Sequence, residues 1–291
     1  MFQKGLFMKI LILILLLLFS PSVSADPVPD IPPVYQPLFE RLSRDGFDCE
    51  FLSKLFTDDR AEVIPDRMVI SLDSKETEEL YTQFLSQESI LLSKRFLLEN
   101  DKFLKEVERH FNVEKEVIVA ILLVESRFGE NTGKHRVIPT LASMAVMDTP
   151  DNLQSNFLIL KEIEPELTYE WVENRAKRRA NWAYHELKCF LMITRDNRVD
   201  PLEVKGSYAG ALGMPQFIPS SYVAFGHSQK GFENWLSSKE ESILSIANYL
   251  NLHGWKKKIS VERKRKALWY YNHSKPYIDT ILKVAQKIRQ K

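Results

Sequence analysis

The stretch AILLVESRFGENTG, residues 120–133, decides how this chain is read. An aliphatic run ends in a glutamate, Glu125, and a glycine, Gly129, follows four residues later. With 117–128 placed on a helix, Ile118, Ile121 and Glu125 are spaced three and then four and share one face. The acid therefore interrupts an apolar stripe instead of joining the polar side. Near the C-terminal end, the helix dipole also opposes a negative charge. Burial and dipole act in the same direction and raise a carboxyl pKa. A carboxyl group that keeps its proton near neutral pH is what a general acid for glycoside cleavage requires. The spacing also allows a plainer arrangement, in which the glutamate bends out to pair with Arg127 or Lys134.

Downstream, KGSYAGALGMPQFIPSSY (205–222) holds Gly206, Gly210 and Gly213, three of the ten glycines in the chain. Small residues let a ligand or another helix approach the backbone closely. Ser207, Gln216, Ser220 and Ser221 add neutral hydrogen-bonding groups, and Tyr208 and Tyr222 offer flat faces. That mix suits a sugar, and it equally suits tight packing between helices. It is no phosphate loop, because neither glycine-rich nucleotide signature is present. A third stretch, WYYNHSKPY (269–277), surrounds Asn272 and Ser274 with aromatic rings. It reads as the floor of a saccharide groove or as a core aromatic cluster.

The N-terminus MFQKGLFMKILILILLLLFSPSVSA has two lysines, an apolar run over 10–19 and small residues before Ala25. This is the pattern of a signal peptide, 1–25, and the run is short for a membrane span. No cysteine follows the cleavage point, so the chain is not expected to be a lipoprotein. The expected location is the periplasm or cell envelope, with no stable membrane span in the mature chain. Removing 1–25 takes the formal charge from +1 to −1. A near-neutral chain has no strong pull toward nucleic acid, and none is expected as a partner. The basic clusters at 256–258 and 263–266 read as solvated surface. Two cysteines, Cys49 and Cys189, make neither a disulfide framework nor a zinc site.

Residues 26–37 hold five of the 14 prolines and read as an extended leader outside the core. Helical spacing dominates 38–111, with a break at Asn100-Asp101. Beyond Pro150 a charged, helix-compatible segment runs to about 180. Ser238 and Glu241 have the spacing of a capping box, and Gly254 closes that helix. A last helix is expected over about 276–288. Convincing strands are scarce, and DRMVISL and KKISVE are the best short candidates. The class is mostly α with a small sheet.

Taken in order, four stretches resemble the membrane-bound lytic transglycosylase B family, enzymes that cut bacterial peptidoglycan. They are VIVAILLVESRFGENTGKHRVIPTLASMA, FLMITRDNRVDPLEVKGSYAGALGMPQFIPSSY, SILSIANYLNLHGW and YYNHSKPY, and they lie within 112–277. The resemblance implies an α+β, lysozyme-like catalytic region over 112–291, with an added helical N-terminal region over 38–111. It implies Glu125 as the sole acid/base. It also implies that Ser207, Gln216, Tyr249, Tyr271, Asn272 and Tyr277 line a groove for peptidoglycan glycan strands, with Gly206 and Gly210 approaching through their backbone. No cofactor is implied. Two departures stand out. The family often carries an acidic calcium loop where this chain reads VAFGHSQKGFEN, with Glu233 as its one carboxylate, so no metal is expected. The segment 148–180 is longer and more charged than usual, and an envelope protein partner is expected to bear on it.

Overall fold

The computed structural model describes residues 31–70 and 76–290. The expected signal peptide and residues 26–30 of the leader lie outside them. In chain order the helices are α1 (Gln36–Arg44), α2 (Cys49–Thr57), α3 (Pro65–Met68), α4 (Glu78–Tyr81), α5 (Gln87–Glu99), α6 (Asp101–Phe111), α7 (Lys115–Ser126), α8 (Val137–Ala145), α9 (Pro150–Ile163), α10 (Tyr169–Asn197), α11 (Pro219–Phe225), α12 (Phe232–Ser237), α13 (Lys239–Leu252), α14 (Val261–Tyr271) and α15 (Lys275–Arg289). Two short strands, β1 (His135–Arg136) and β2 (Lys205–Gly206), pair antiparallel with His135 opposite Gly206. The chain is thus mostly α with a small two-stranded sheet.

Local chemistry explains many of the helix starts. Asp48, Ser86, Thr168, Ser238, Ser260 and Ser274 each accept an orphan amide at the head of the helix that follows. The capping box at α13 forms by half. Ser238 accepts from the Glu241 amide, but the Glu241 side chain turns away to the amides of Gln229 and Lys230.

Helix α7 lies at the centre. Residues Val117 to Leu123 are all buried, most of them completely. This helix is apolar all round, not striped, as expected of one enclosed by its neighbours. Helices α5, α6, α13 and α15 pack on it, while α10 packs on α8 and α11.

Three expectations fail. DRMVISL begins in helix α3, whose first position is Pro65, where a missing amide does no harm; its end, 71–72, lies outside the described residues. KKISVE enters α14, because Ser260 caps that helix and Glu262 sits in its first turn. The actual strands have two residues each, too short for alternation to reveal. They meet where Gly133 lets the backbones approach, since a Cβ there would lie 2.0 Å from the Gly206 carbonyl. The leader is not wholly outside the core either. Pro33–Tyr35 forms a 3-10 turn that buries Tyr35 completely, and the Tyr35 hydroxyl lies 3.0 Å from Ser143 Oγ.

The 148–180 segment is a helical hairpin made of α9 and the start of α10. A separate small core, including Leu153, Leu160, Val172 and Ala176, ties it to Ile70 and Met147. Buried Asn156 clamps it further, accepting from the Ile70 amide and donating to the Met68 carbonyl. Both cysteines are free thiols.

Candidate active site

Helix α7 ends at Ser126, one residue after Glu125. Arg127, Phe128 and Gly129 have φ of 49°, 61° and 96°, three successive left-handed residues. The Phe128 amide reaches back to the Leu122 carbonyl and that of Arg127 to Leu123, which closes the helix end. Positive φ is strained for a bulky residue such as Phe128 and must be held by its surroundings. Phe128 stacks on Phe96 with ring centroids 4.4 Å apart. Ser126 Oγ accepts from the Gly129 amide and donates to the Met214 carbonyl at 2.8 Å. The glycine-rich loop is thereby fastened to the residue next to Glu125.

The Glu125 carboxyl keeps a window to solvent, but protein atoms crowd it on its other sides. Its hydrogen bond comes from the Tyr277 hydroxyl, which donates to Oε1 at 2.6 Å. The pairing with Arg127 does not form, because Arg127 bridges Glu88 and Glu130 instead. Burial pushes the carboxyl pKa up from 4.5 to about 8; the tyrosine bond pulls weakly against this, and the charge of Glu76 adds to it.

The other buried glutamates mark the contrast. Glu114 holds the Trp255 indole and the Lys264 ammonium. Glu186 takes both the amide and the hydroxyl of Ser220 at the start of α11. Glu241 accepts two backbone amides. Each of these is anchored by groups that stabilise an anion, whereas Glu125 has one phenol and no cation.

An aromatic wall surrounds it. Tyr271 lies parallel to Tyr277 at 6.3 Å and edge-on to Tyr249 at 4.9 Å, and Phe217 touches both Tyr249 and Tyr271. The Tyr271 hydroxyl donates to the Pro215 carbonyl and the Tyr249 hydroxyl to that of Tyr270. Burial raises the pKa of Tyr249 to about 12, and burial followed by the Glu125 charge raises Tyr277 well above the usual range. These phenols remain donors at any ordinary pH.

The remaining expected residues have structural duties. Ser207 Oγ accepts the amides of Ala209 and Ala211, and Gln216 donates to the carbonyls of Thr132 and Gly213. Both are half-buried and shape the loop. Gly206 and Gly210 are required by the protein's own packing. A Cβ at the first would lie 2.4 Å from the Ala211 carbonyl, and Gly210, at φ 82°, abuts Leu141. Asn272 is half-buried, and its side-chain amide has no hydrogen bond to another described residue. Arg67 covers one face of the exposed Tyr208 ring at 3.1 Å, and Tyr222 packs edge-to-face with Phe232 and Trp235. Two residues escaped sequence reasoning. Tyr81 sets its ring against Tyr277, and Glu76 bears on Glu125.

The loop over 223–234 has Glu233 exposed on it. Glu241, the buried acid behind it, has one oxygen engaged by amides, and its other oxygen has no partner. Among the described residues no group of three or more His, Cys, Asp or Glu is placed to hold a metal ion.

The fold recurs in known proteins. The soluble lytic transglycosylase SltB1 from Pseudomonas aeruginosa is 25% identical and superposes with a TM-score of 0.68, over 88% of this chain and 98% of that one. The Escherichia coli lytic transglycosylase Slt35, solved in complex with calcium, has the same fold at 22% identity and a TM-score of 0.66, over 88% of this chain and 92% of that one. Membrane-bound lytic murein transglycosylase B of Escherichia coli K12 is 36% identical over 149 residues; the match spans half of this chain and a third of that protein. Residues 32–268 match the family described as the transglycosylase SLT domain. With four-fifths of its length matched, the chain belongs to the transglycosylase SLT domain family.

Proposed function

We propose that this chain is a lytic transglycosylase that cuts the glycosidic bond between N-acetylmuramic acid and N-acetylglucosamine in peptidoglycan. The observation that carries the reading is Glu125, a carboxyl with a raised pKa, one phenolic partner, no cation, and a window to solvent beside an aromatic wall. Its proton goes to the glycosidic oxygen, and the bond to the muramoyl anomeric carbon breaks. The muramoyl acetamido oxygen stabilises that carbon, and the unengaged amide of Asn272 is suited to orient the acetamido group. Glu125, now ionised, takes the proton of the same sugar's C6 hydroxyl as its oxygen bonds to the anomeric carbon. Holding that hydroxyl in place replaces a bimolecular attack by water. Half-buried Tyr271 provides the groove's aromatic face, Tyr249 and Tyr277 are buried behind it and do not reach the sugar, and Ser207, Gln216, Gly206 and Gly210 hold the loop that forms its side.

The rival is a lysozyme-type hydrolase, which admits water and leaves a reducing end. The two reactions differ by one water in the product. Purified sacculi digested with the chain are expected to yield 1,6-anhydromuramoyl ends by mass spectrometry. Hydrated reducing ends alone, from an active chain, would establish the hydrolase instead. A chain that binds sacculi without releasing fragments would be a wall-binding protein.

The signal pattern and the missing lipobox support an exported, periplasmic or envelope location. No described helix is long and apolar enough to cross a membrane. The 148–180 hairpin, which exposes Leu158, Ile159 and Ile163, is the segment on which an envelope partner would bear. The calcium loop makes a further expectation. Adding millimolar calcium to the metal-free chain leaves its melting temperature unchanged; a clear rise that disappears in Glu233→Gln would restore a metal site.

A further inference from the structure

The N-terminal region contributes to the site through residues that no motif marks. Tyr81, at the end of α4, is 8% exposed, and its ring stands edge-on to Tyr277 with centroids 6.2 Å apart and planes at 79°. Its hydroxyl donates to the Glu76 carboxylate and also meets the Ser274 hydroxyl. Ser274 in turn caps α15, its Oγ accepting from the Tyr277 amide at 3.2 Å. One phenol thus connects Glu76 to both the ring and the backbone of Tyr277, the residue that donates to Glu125.

We propose that Glu76 is a positioning residue for Glu125: through Tyr81 it fixes Ser274 and Tyr277 in the geometry that donates to the acid, and it sets a like charge beside that acid. The proposal rests on the reading of Glu125 as the acid and deepens it. The titratable groups that face Glu125 are Tyr277 from α15, Tyr271 from α14, and Tyr81 and Glu76 from the α4 segment. On the α5 side, Glu88 is held by Arg127. The one charge among these whose field acts on Glu125 is therefore negative, and burial is the larger influence. A like charge favours the protonated acid before the bond breaks. Once the proton has been given away, the same charge makes Glu125 a stronger base toward the C6 hydroxyl. It also favours the positive anomeric carbon between the two steps. One fixed charge thus keeps the acid loaded, strengthens it as a base and favours the cation, at the expense of its strength as an acid.

The test uses the full chain with 13C-labelled glutamate, and assigns the Glu125 carboxyl by its loss in Glu125→Gln. Its NMR titration is measured in wild type, Glu76→Gln and Tyr81→Phe, beside the pH profile of kcat/KM on peptidoglycan. In Glu76→Gln the Glu125 titration and the alkaline limb of the profile are both expected to fall by about half a pH unit. Tyr81→Phe keeps charge and ring but frees Glu76, so it gives a smaller shift together with a lower kcat. Glu76 is exposed, so about 1 M salt should screen its field and shift wild type in the same direction. This arm needs no variant and stands even if Glu76→Gln fails to fold. A Glu125 titration that neither Glu76→Gln nor salt moves overturns the proposal. A titration that moves while the cleavage limb stays in place leaves the coupling standing and removes Glu125 from the chemistry instead.

Discussion

Glu125→Gln is expected to leave the fold intact and to abolish peptidoglycan cleavage. The amide has the shape of the carboxyl, and its oxygen still accepts the Tyr277 hydroxyl that now reaches Oε1. It cannot donate a proton as an acid or take one back. General acid–base catalysis contributes roughly 10²- to 10⁴-fold. Here one group serves both steps, so the loss should lie at the upper end of that range or beyond it. The measurement is release of soluble fragments from sacculi, with circular dichroism to confirm folding. A folded Gln variant that retains ordinary lytic activity would move the chemistry to another residue. The other buried glutamates are poor replacements, because Glu114, Glu186 and Glu241 are committed to a lysine, a helix start and two loop amides.

That contrast bears on what was legible in the sequence. An acid at the end of AILLVES is visible because an apolar run is the wrong solvent for it. The direction of its pKa follows from that alone. The sequence does not show which partner it keeps. Arg127 stands two residues away and pairs elsewhere, while Tyr277 stands 152 residues away and supplies the bond. The aromatic wall was visible as composition, in WYYNHSKPY, but its order was not. Tyr81 and Glu76 were invisible for a physical reason. The stretch ETEELYTQF reads as part of an ordinary helix with its leucine and aromatics at helical spacing, and nothing local distinguishes a tyrosine that will lie against residue 277. The glycines read as positions of close approach, for a ligand or for the protein's own packing. Gly206 and Gly210 do permit a close approach, but the approaching atoms belong to Ala211 and Leu141. Tyr35 was lost to its surroundings, since prolines hid a core residue that a short 3-10 turn carries inward.

The second large effect is on stability, and it runs opposite to the effect on activity. The folded Glu125 carboxyl titrates at about 8 against an ordinary value of 4.5. Below pH 4.5 the group is protonated in both folded and unfolded chains and contributes nothing. Between 4.5 and 8 the unfolded chain loses this proton and the folded chain keeps it. The folded state then binds more protons, so stability falls as pH rises, by about 1.4 kcal/mol per unit for one full proton. Above about 8 both states are ionised and the penalty is constant. At pH 7 it amounts to about 2–3 kcal/mol, after discounting for the solvent window that screens the charge. Glutamine carries no such penalty. Glu125→Gln should therefore match wild type in melting temperature near pH 4 and exceed it by roughly 5–10 °C at pH 7 to 8. Subtracting wild type from variant at each pH removes every other titrating group from the comparison. Two melting curves that run parallel from pH 4 to 8 would mean that Glu125 ionises as it does in water. An acid of that kind would hold no proton at neutral pH to give to a glycosidic oxygen.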